Sequence, residues 1–259
     1  MCGGARCLRG ISSDPAASLL IEIPDEPAEI GCAAPTPRTL LCITVRRADF
    51  GIVLDSPGSY RLAQTWLAPG AAADLCGRLR HWLDDAQPHG WALDVGCGPA
   101  ALLAQAGYRR VIGVDTSWER AAAVQRTGGV VVTATAAALP FADGEFDIVW
   151  SGGLLHHLRD DEARTAIGEI LRVTRAGGRT AIFDSVRPEP AWRRPLAWAV
   201  RRLDRGRYVR TQAALEALLP ERQAWICERF TYTRNGLEGL WCAYRKSLMA
   251  GAARAMAQR

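Results

Sequence analysis

The chain has 259 residues, 49% of them hydrophobic, and a formal net charge of +5. That length can bury one sizeable core, so a single catalytic domain with an N-terminal extension is the simplest division. No run of about 18 apolar residues occurs and the N-terminus lacks the apolar stretch of a secretory signal, so neither a spanning helix nor secretion is expected and the expected location is the cytoplasm.

From Met1 to about Thr39, Pro15, Pro24, Pro27, Pro35 and Pro37 stand among small and acidic residues without a core-building period, and residues 1–39 are expected to be poorly ordered. Residues 40–90 read as cap or lid segments. Leu40–Val45 and Ile52–Leu54 have the character of short strands, and residues 59–66 and Ala71–Leu83 that of helices, the second with Leu75, Leu79 and Trp82 or Leu83 at helical spacing. Tyr60 is a candidate lid residue against a substrate, its plainer alternative being a place in the core. The eight cysteines include no Cys-x-x-Cys and no Cys/His pair at metal spacing, so free, packed thiols and no metal are expected.

Trp91–Ser117 organises the chain. A short apolar run enters Asp94 and then Gly96-Cys97-Gly98; a brief helical segment comes next, and Val111–Val114 stops at Asp115. Strand, glycine turn, helix, strand and terminal acid describe a nucleotide-type βαβ unit. The glycines remove the Cβ atoms that would keep a ligand from the backbone. The carboxylate at the end of the second strand is placed to accept both hydroxyls of a ribose. An adenosine-containing ligand is therefore expected at this turn.

Ser117 is a candidate N-cap for a helix over 119–126, and Trp118 either stacks on adenine or packs on that helix. Val130–Thr133 forms a third strand that delivers Thr135 and Ala136, and Phe146–Trp150 a fourth. Ser151-Gly152-Gly153 then lies on the carboxyl edge, where ligands of open α/β sheets bind. His156 and His157 come shortly after. A histidine there can take a proton from a hydroxyl nucleophile, because its pKa lies near working pH; the plainer alternative is that the pair orders the loop. As a base, His157 is slightly preferred.

Asp160 or Asp161 is expected to cap a helix bearing Ile167, Ile170, Leu171 and Thr174 on one face. Gly177-Gly178 then turns the chain into a fifth strand, Thr180–Phe183, ending at Asp184, which either orients a substrate or caps the next segment. Between Arg187 and Arg210 eight arginines oppose Glu189 and Asp204. This basic, amphipathic stretch reads as an acceptor-covering insertion (187–219), a peripheral membrane contact or a solvated helix face. Thr211–Leu219 reads as a short helix, Trp225–Thr233 and Leu237–Arg245 as a hairpin around Asn235-Gly236, and residues 247–259 as a tail.

LDVGCGP, GVDTS, LPFADGEFDIVWSGGLLHHL and ILRVTRAGGRTAIFD, in that order, resemble the class I S-adenosylmethionine-dependent methyltransferases, in particular the small-molecule group with a type 11-like domain. The resemblance is dense over about Trp91–Ser185. It implies an α/β fold over residues 91–246: a Rossmann-like, doubly wound, seven-stranded sheet in three α/β/α layers, ending in an antiparallel hairpin. It implies S-adenosyl-L-methionine as cofactor and in-line methyl transfer to a small-molecule or lipid-like acceptor. Asp94, Gly96, Cys97 and Gly98 would then form the loop at the methionine moiety, Asp115 and Thr116 the ribose site, and Trp118, Thr135 and Ala136 the adenine site. Ser151 and Gly152 would border the methyl donor. Two positions depart from the pattern: Ala100 stands where a third glycine is frequent, and Thr135 where an acid usually meets the adenine amino group. They keep open a non-catalytic, cofactor-binding relative. An NAD(P)-dependent oxidoreductase shares the glycine turn but not the later motifs. No base-methylation motif or RNA-binding module supports a nucleic acid acceptor.

Overall fold

The computed structural model describes residues 18–22, 40–44, 68–86, 90–118, 124–126, 128–189, 197 and 207–247, and the chain divides into two units, Met1–Phe50 and Gly51–Arg259. In the first, β1 (Ser18–Glu22) pairs antiparallel with β2 (Leu40–Thr44), Ser18 standing opposite Thr44. The second strand falls where the sequence suggests one. The first lies inside the proline-rich extension, where Leu19-Leu20-Ile21 supplies a short apolar run compatible with a strand.

The second unit opens with α1 (Ala71–Ala86). Leu75, Leu79 and Leu83 recur at four-residue spacing and are all buried, so Leu83 completes the core stripe. Trp82 instead meets Trp241 edge-on at 6.1 Å. Next in order are β3 (Ala92–Val95), α2 (Leu102–Gln105), β4 (Val111–Asp115), β5 (Val130–Thr133), β6 (Phe146–Gly152), α3 (Asp160–Val173), β7 (Thr174–Ser185), α4 (Gln212–Glu216), β8 (Trp225–Thr231) and β9 (Glu238–Arg245).

Seven strands form one sheet in the order β5-β4-β3-β6-β7-β9-β8. The first five run parallel, and β9 is antiparallel to both its neighbours. Strand order reverses between β3 and β6, which leaves a crevice at their carboxyl ends. Side-chain alternation sorts the two faces. Ala181, Phe183 and Trp241 join the core with Leu75 and Leu79 of α1, whereas Ile182, Leu240 and Cys242 pack with Ala163 and Ile167 of α3 and Leu215 of α4. The fold is the doubly wound, three-layer arrangement with an antiparallel terminal hairpin that the motifs imply.

Three local expectations are corrected. The N-cap of α3 is Arg159, not an aspartate: Asp160 and Asp161 occupy the first turn, where negative charge complements the helix dipole, and Glu162 Oε2 accepts the Arg159 backbone N–H at 2.9 Å. Strand β7 begins at Thr174, so Gly177-Gly178 is an irregularity inside the strand rather than a turn before it; Gly177 has φ +79°, and the register with β6 shifts between Phe146 and Ile148. The cysteines are not all free. Cys227 and Cys242 face each other across β8 and β9, Cα atoms 4.2 Å apart, and are disulfide-bonded, while Cys76 and Cys97 are buried and take no part in a disulfide. Hairpin register, invisible in linear spacing, creates that pair. Among the described residues no helix is long and apolar enough to cross a membrane, and no group of His, Cys, Asp or Glu is arranged to hold a metal.

Candidate active site

The glycine turn leaves β3 with Gly96 at φ +71° and Gly98 at φ +49°. A Cβ on Gly96 would stand 3.0 Å from Leu154 Cδ1, so both backbone angle and space demand glycine there. The Gly96 and Cys97 N–H groups donate to Val114 O at 2.7 and 3.1 Å, fastening the turn to β4. The Cys97 side chain is buried against β4: a Cβ on Gly113 would lie 2.9 Å from its Sγ. Any part Cys97 plays toward a ligand therefore falls to its backbone. Just beyond the turn, Ala101 is held at φ +46° as the N-cap of α2, without a side-chain cap, a left-handed conformation that costs an alanine on the order of 1 kcal/mol.

Asp115 ends β4 half-buried. Its Oδ2 accepts the Gly98 N–H at 3.1 Å and its Oδ1 the Ser117 N–H at 2.9 Å. One carboxylate thus ties the glycine turn to the end of the neighbouring strand. The Ala134 N–H donates to Asp115 O at 3.1 Å and brings the loop after β5 alongside. In that loop Thr135 is exposed and accepts the Ala137 N–H at 3.3 Å, and Ala136 is half-buried. Thr116 and Trp118 are exposed beside them, Trp118 by 43%. The residues expected to hold a nucleoside therefore come together at the carboxyl edge of β3, β4 and β5.

Asp94, the last acid before the turn, is buried, and the Leu103 N–H donates to it. Its Oδ2 has no hydrogen-bond partner. Burial pushes its carboxyl up to about 7, with a further push from Asp115, and the Leu103 N–H only partly offsets this. An unsatisfied acceptor in dry surroundings costs free energy until a donor arrives, and the amino group of S-adenosylmethionine is such a donor, so the residues present fit that cofactor. The raised carboxyl has a consequence for stability. The native state holds this proton more tightly than the unfolded chain does, so its advantage is full below about pH 4 and is lost as pH rises to about 7. Asp94→Asn is expected to raise unfolding free energy at about pH 8 by roughly 2–4 kcal/mol and to give little gain at about pH 4, as read by urea denaturation at both pH values.

At the neighbouring strand ends, Ser151 Oγ is buried and donates to Val95 O at 3.0 Å, joining β6 to β3. A Cβ on Gly152 would come within 2.5 Å of the Trp150 ring. A single 3₁₀ turn, Leu155–His157, lies just beyond. His156 Nδ1 lies 2.6 Å from Asp184 Oδ1, and the His156 backbone N–H donates to Asp184 Oδ2 at 3.0 Å. The Ser185 N–H also donates to Oδ1, at 2.6 Å. Burial pushes the Asp184 carboxyl up, but the charge and ring N–H of His156, with the backbone N–H groups of Ser185 and His156, outweigh it and hold the carboxyl below its ordinary value. An ionised Asp184 places the proton of the neutral ring on Nδ1 and makes Nε2 the basic nitrogen. The ring overlies Gly153, whose Cβ would lie 3.7 Å from His156 Cε1.

His157 is exposed. Its ring centroid lies 4.1 Å from that of His156, and it borders a cleft of about 360 Å³ with Arg159, Glu162, Arg207 and Tyr208. His156, not the preferred His157, is therefore the histidine oriented by a buried carboxylate. Both oxygens of Asp184 are engaged by protein donors, His156 through its ring and backbone N–H and Ser185 through its backbone N–H, so the carboxylate holds the His156 ring and also meets the residue that follows it. Tyr60 lies outside the described residues, as does most of the Arg187–Arg210 stretch; within it Arg187 and Arg207 are exposed and Arg210 is buried. Sequence reasoning missed Leu154, which lies over the glycine turn, and Arg210, whose role no local pattern marks.

Residues 93–182 match the family described as "Methyltransferase domain". The chain is 32% identical over 107 residues to probable tRNA methyltransferase 9B of Mus musculus, covering 41% of this chain and 24% of that protein. It is 36% identical over 129 residues to 27-O-demethylrifamycin SV methyltransferase of Amycolatopsis mediterranei, covering 44% and 46% respectively. It thus spans less than half the length of either relative. Among solved structures, magnesium protoporphyrin IX methyltransferase from Synechocystis PCC 6803 with bound SAH shares the fold, with a TM-score of 0.56, 18% identity and coverage of 75% of this chain and 96% of that one.

Proposed function

We propose that this chain, which carries a class I S-adenosylmethionine-dependent methyltransferase domain, methylates a hydroxyl group of a small-molecule or lipid-like acceptor with His156 as general base. One observation carries the hydroxyl assignment: the 2.6 Å contact between His156 Nδ1 and the buried Asp184, beside Gly152 and Gly153 at the carboxyl edge of β6. Sulfur nucleophiles ionise readily and neutral amines need no base before attack, whereas a hydroxyl must lose its proton, so an oriented imidazole is most useful to an oxygen acceptor.

When bound, S-adenosylmethionine supplies a sulfonium-activated methyl group. The backbone of Gly96 and Gly98 would border its methionine moiety, Asp94 Oδ2 would meet its amino group, Asp115 would hold the ribose and the Ala136 backbone the adenine. The chain's remaining work is alignment and exclusion of water. His156 Nε2 accepts the proton of the acceptor hydroxyl, and ionised Asp184 stabilises the imidazolium that results. The small-molecule assignment is supported by the rifamycin relative's name, and RNA by the similarity to the tRNA methyltransferase.

Incubating the protein with isotopically labelled donor and either a cell extract or total tRNA separates the two, with mass spectrometry locating the label. The expected product is a methyl ether on a small molecule, lost with His156→Ala. Label on nitrogen or carbon, or in tRNA, would overturn the assignment.

A further inference from the structure

The 3₁₀ turn that carries His156 is held from outside by a residue with no assigned part in the reaction. Arg210 is 8% exposed. Its Nη1 donates to Leu155 O at 2.7 Å, and its Nη2 donates to Leu158 O at 2.7 Å and to Asp160 Oδ1 at 2.7 Å; Nε donates to the same carboxylate oxygen at 2.9 Å. The two carbonyls bracket His156-His157, so one planar fork spans the turn. Two residues earlier, the Tyr208 N–H donates to the His156 carbonyl at 3.0 Å. His156 is thus anchored at its N–H and Nδ1 by Asp184 and at its carbonyl by Tyr208, while Arg210 secures the residues on either side.

We infer that Arg210 is a positioning residue for the reaction proposed above: its guanidinium fixes the turn so that His156 keeps Nδ1 on Asp184 and turns Nε2 toward the acceptor. This rests on the reading of His156 as the base. Three features carry it. Within the turn the backbone bonds are His157 N–H to Leu154 O and Leu158 N–H to Leu155 O, at 3.0 and 3.1 Å, a short ladder for a segment that must hold a side chain to within a fraction of an ångström. A buried guanidinium must have its donors satisfied, and here backbone carbonyls satisfy part of that demand, so losing the side chain leaves those acceptors without it. Finally, an ammonium cannot span both ends of the turn as the fork does. The opposite wall of the His156 site, Asp184 and Ser185 on β7, is independent of the Arg210 side chain, because the Val186–Arg210 bridge and the Arg187 N–H to Arg210 O bond use main chain only.

The test is the state of the His156 ring, which requires no acceptor. Only four histidines occur in the chain, so histidine-¹⁵N labelling and long-range ¹H–¹⁵N spectra can be assigned by substituting each in turn. The wild-type protein should show neutral His156 as the single Nδ1–H tautomer, with a downfield, slowly exchanging Nδ1 proton. Arg210→Gln should lose that proton signal and show a mixture of tautomers, and Arg210→Lys should recover it only in part. Asp160→Asn, which alters only the exposed partner of Arg210, should speed Nδ1 proton exchange without changing the fold. Thermal unfolding and S-adenosylhomocysteine binding, measured in parallel, report whether each variant is folded. Folded Arg210 variants, or folded Asp160→Asn, with a wild-type His156 spectrum would overturn the positioning role alone. A wild-type spectrum lacking the Nδ1–H tautomer would overturn both the base assignment and this inference.

Discussion

Asp184→Asn is expected to slow methyl transfer by about 10²–10⁴-fold while leaving donor affinity within about twofold of wild type. The substitution preserves volume in a site where the side chain is 1% exposed. It changes what faces Nδ1. An ionised carboxylate only accepts, and so fixes the ring proton on Nδ1; an amide can present its NH₂ to the ring instead, which favours the tautomer protonated on Nε2. That tautomer cannot accept the acceptor's proton. Initial rates with labelled donor, beside calorimetric titration of S-adenosylhomocysteine, separate the two effects. Equal rates for the variant and wild type would remove the dyad from the mechanism. The same carboxyl also contributes to stability. Because its native pKa lies below the ordinary value, the contribution is present above about pH 4 and is lost as pH falls through the depressed value.

Asp115→Ala should act on the other side of the reaction, weakening donor binding by about 10–100-fold, the worth of hydrogen bonds to a charged group. Part of that loss would be indirect. Asp115 already receives the N–H groups of Gly98 and Ser117, so truncation frees the glycine turn as well as removing the ribose acceptor. Asp115→Asn retains a carbonyl oxygen for one of those donors and should fall between alanine and wild type. Calorimetric titration of S-adenosylmethionine ranks the three. An alanine variant that binds like wild type would sever the link between this carboxylate and the ribose, and with it the placement of the nucleoside.

Much of this arrangement was legible in the linear chain because its parts are local. Glycines at 96 and 98, the acid four residues after Val111 and the Asn-Gly turn before β9 each specify their backbone within a few residues. Trp82 and Leu83 lie about 100° apart on the helix and flank the direction of the core, so period alone does not choose between them; Leu83 is buried, and half-buried Trp82 packs at the margin of the same core against Trp241. The site beyond the glycine turn was less readable because its contacts cross between strands. His156 and Asp184 are 28 residues apart, and only the pairing of Gly152 with Phe183 brings the ends of β6 and β7 level. That register could have been inferred from two strands ending at one edge, yet nothing in the pattern distinguished His156 from His157. Arg210 was hidden by composition: among eight arginines in one stretch, none is marked as buried until the fold places it.

The lone oxygen of Asp94 has a calorimetric consequence. With its carboxyl poised near 7, a cationic amino group arriving beside it would favour the ionised form, and loading the pocket in neutral solution would expel a fraction of a proton into the medium. The heat of association would then vary with the ionisation enthalpy of the buffer, and the difference between phosphate and Tris would count the protons that leave.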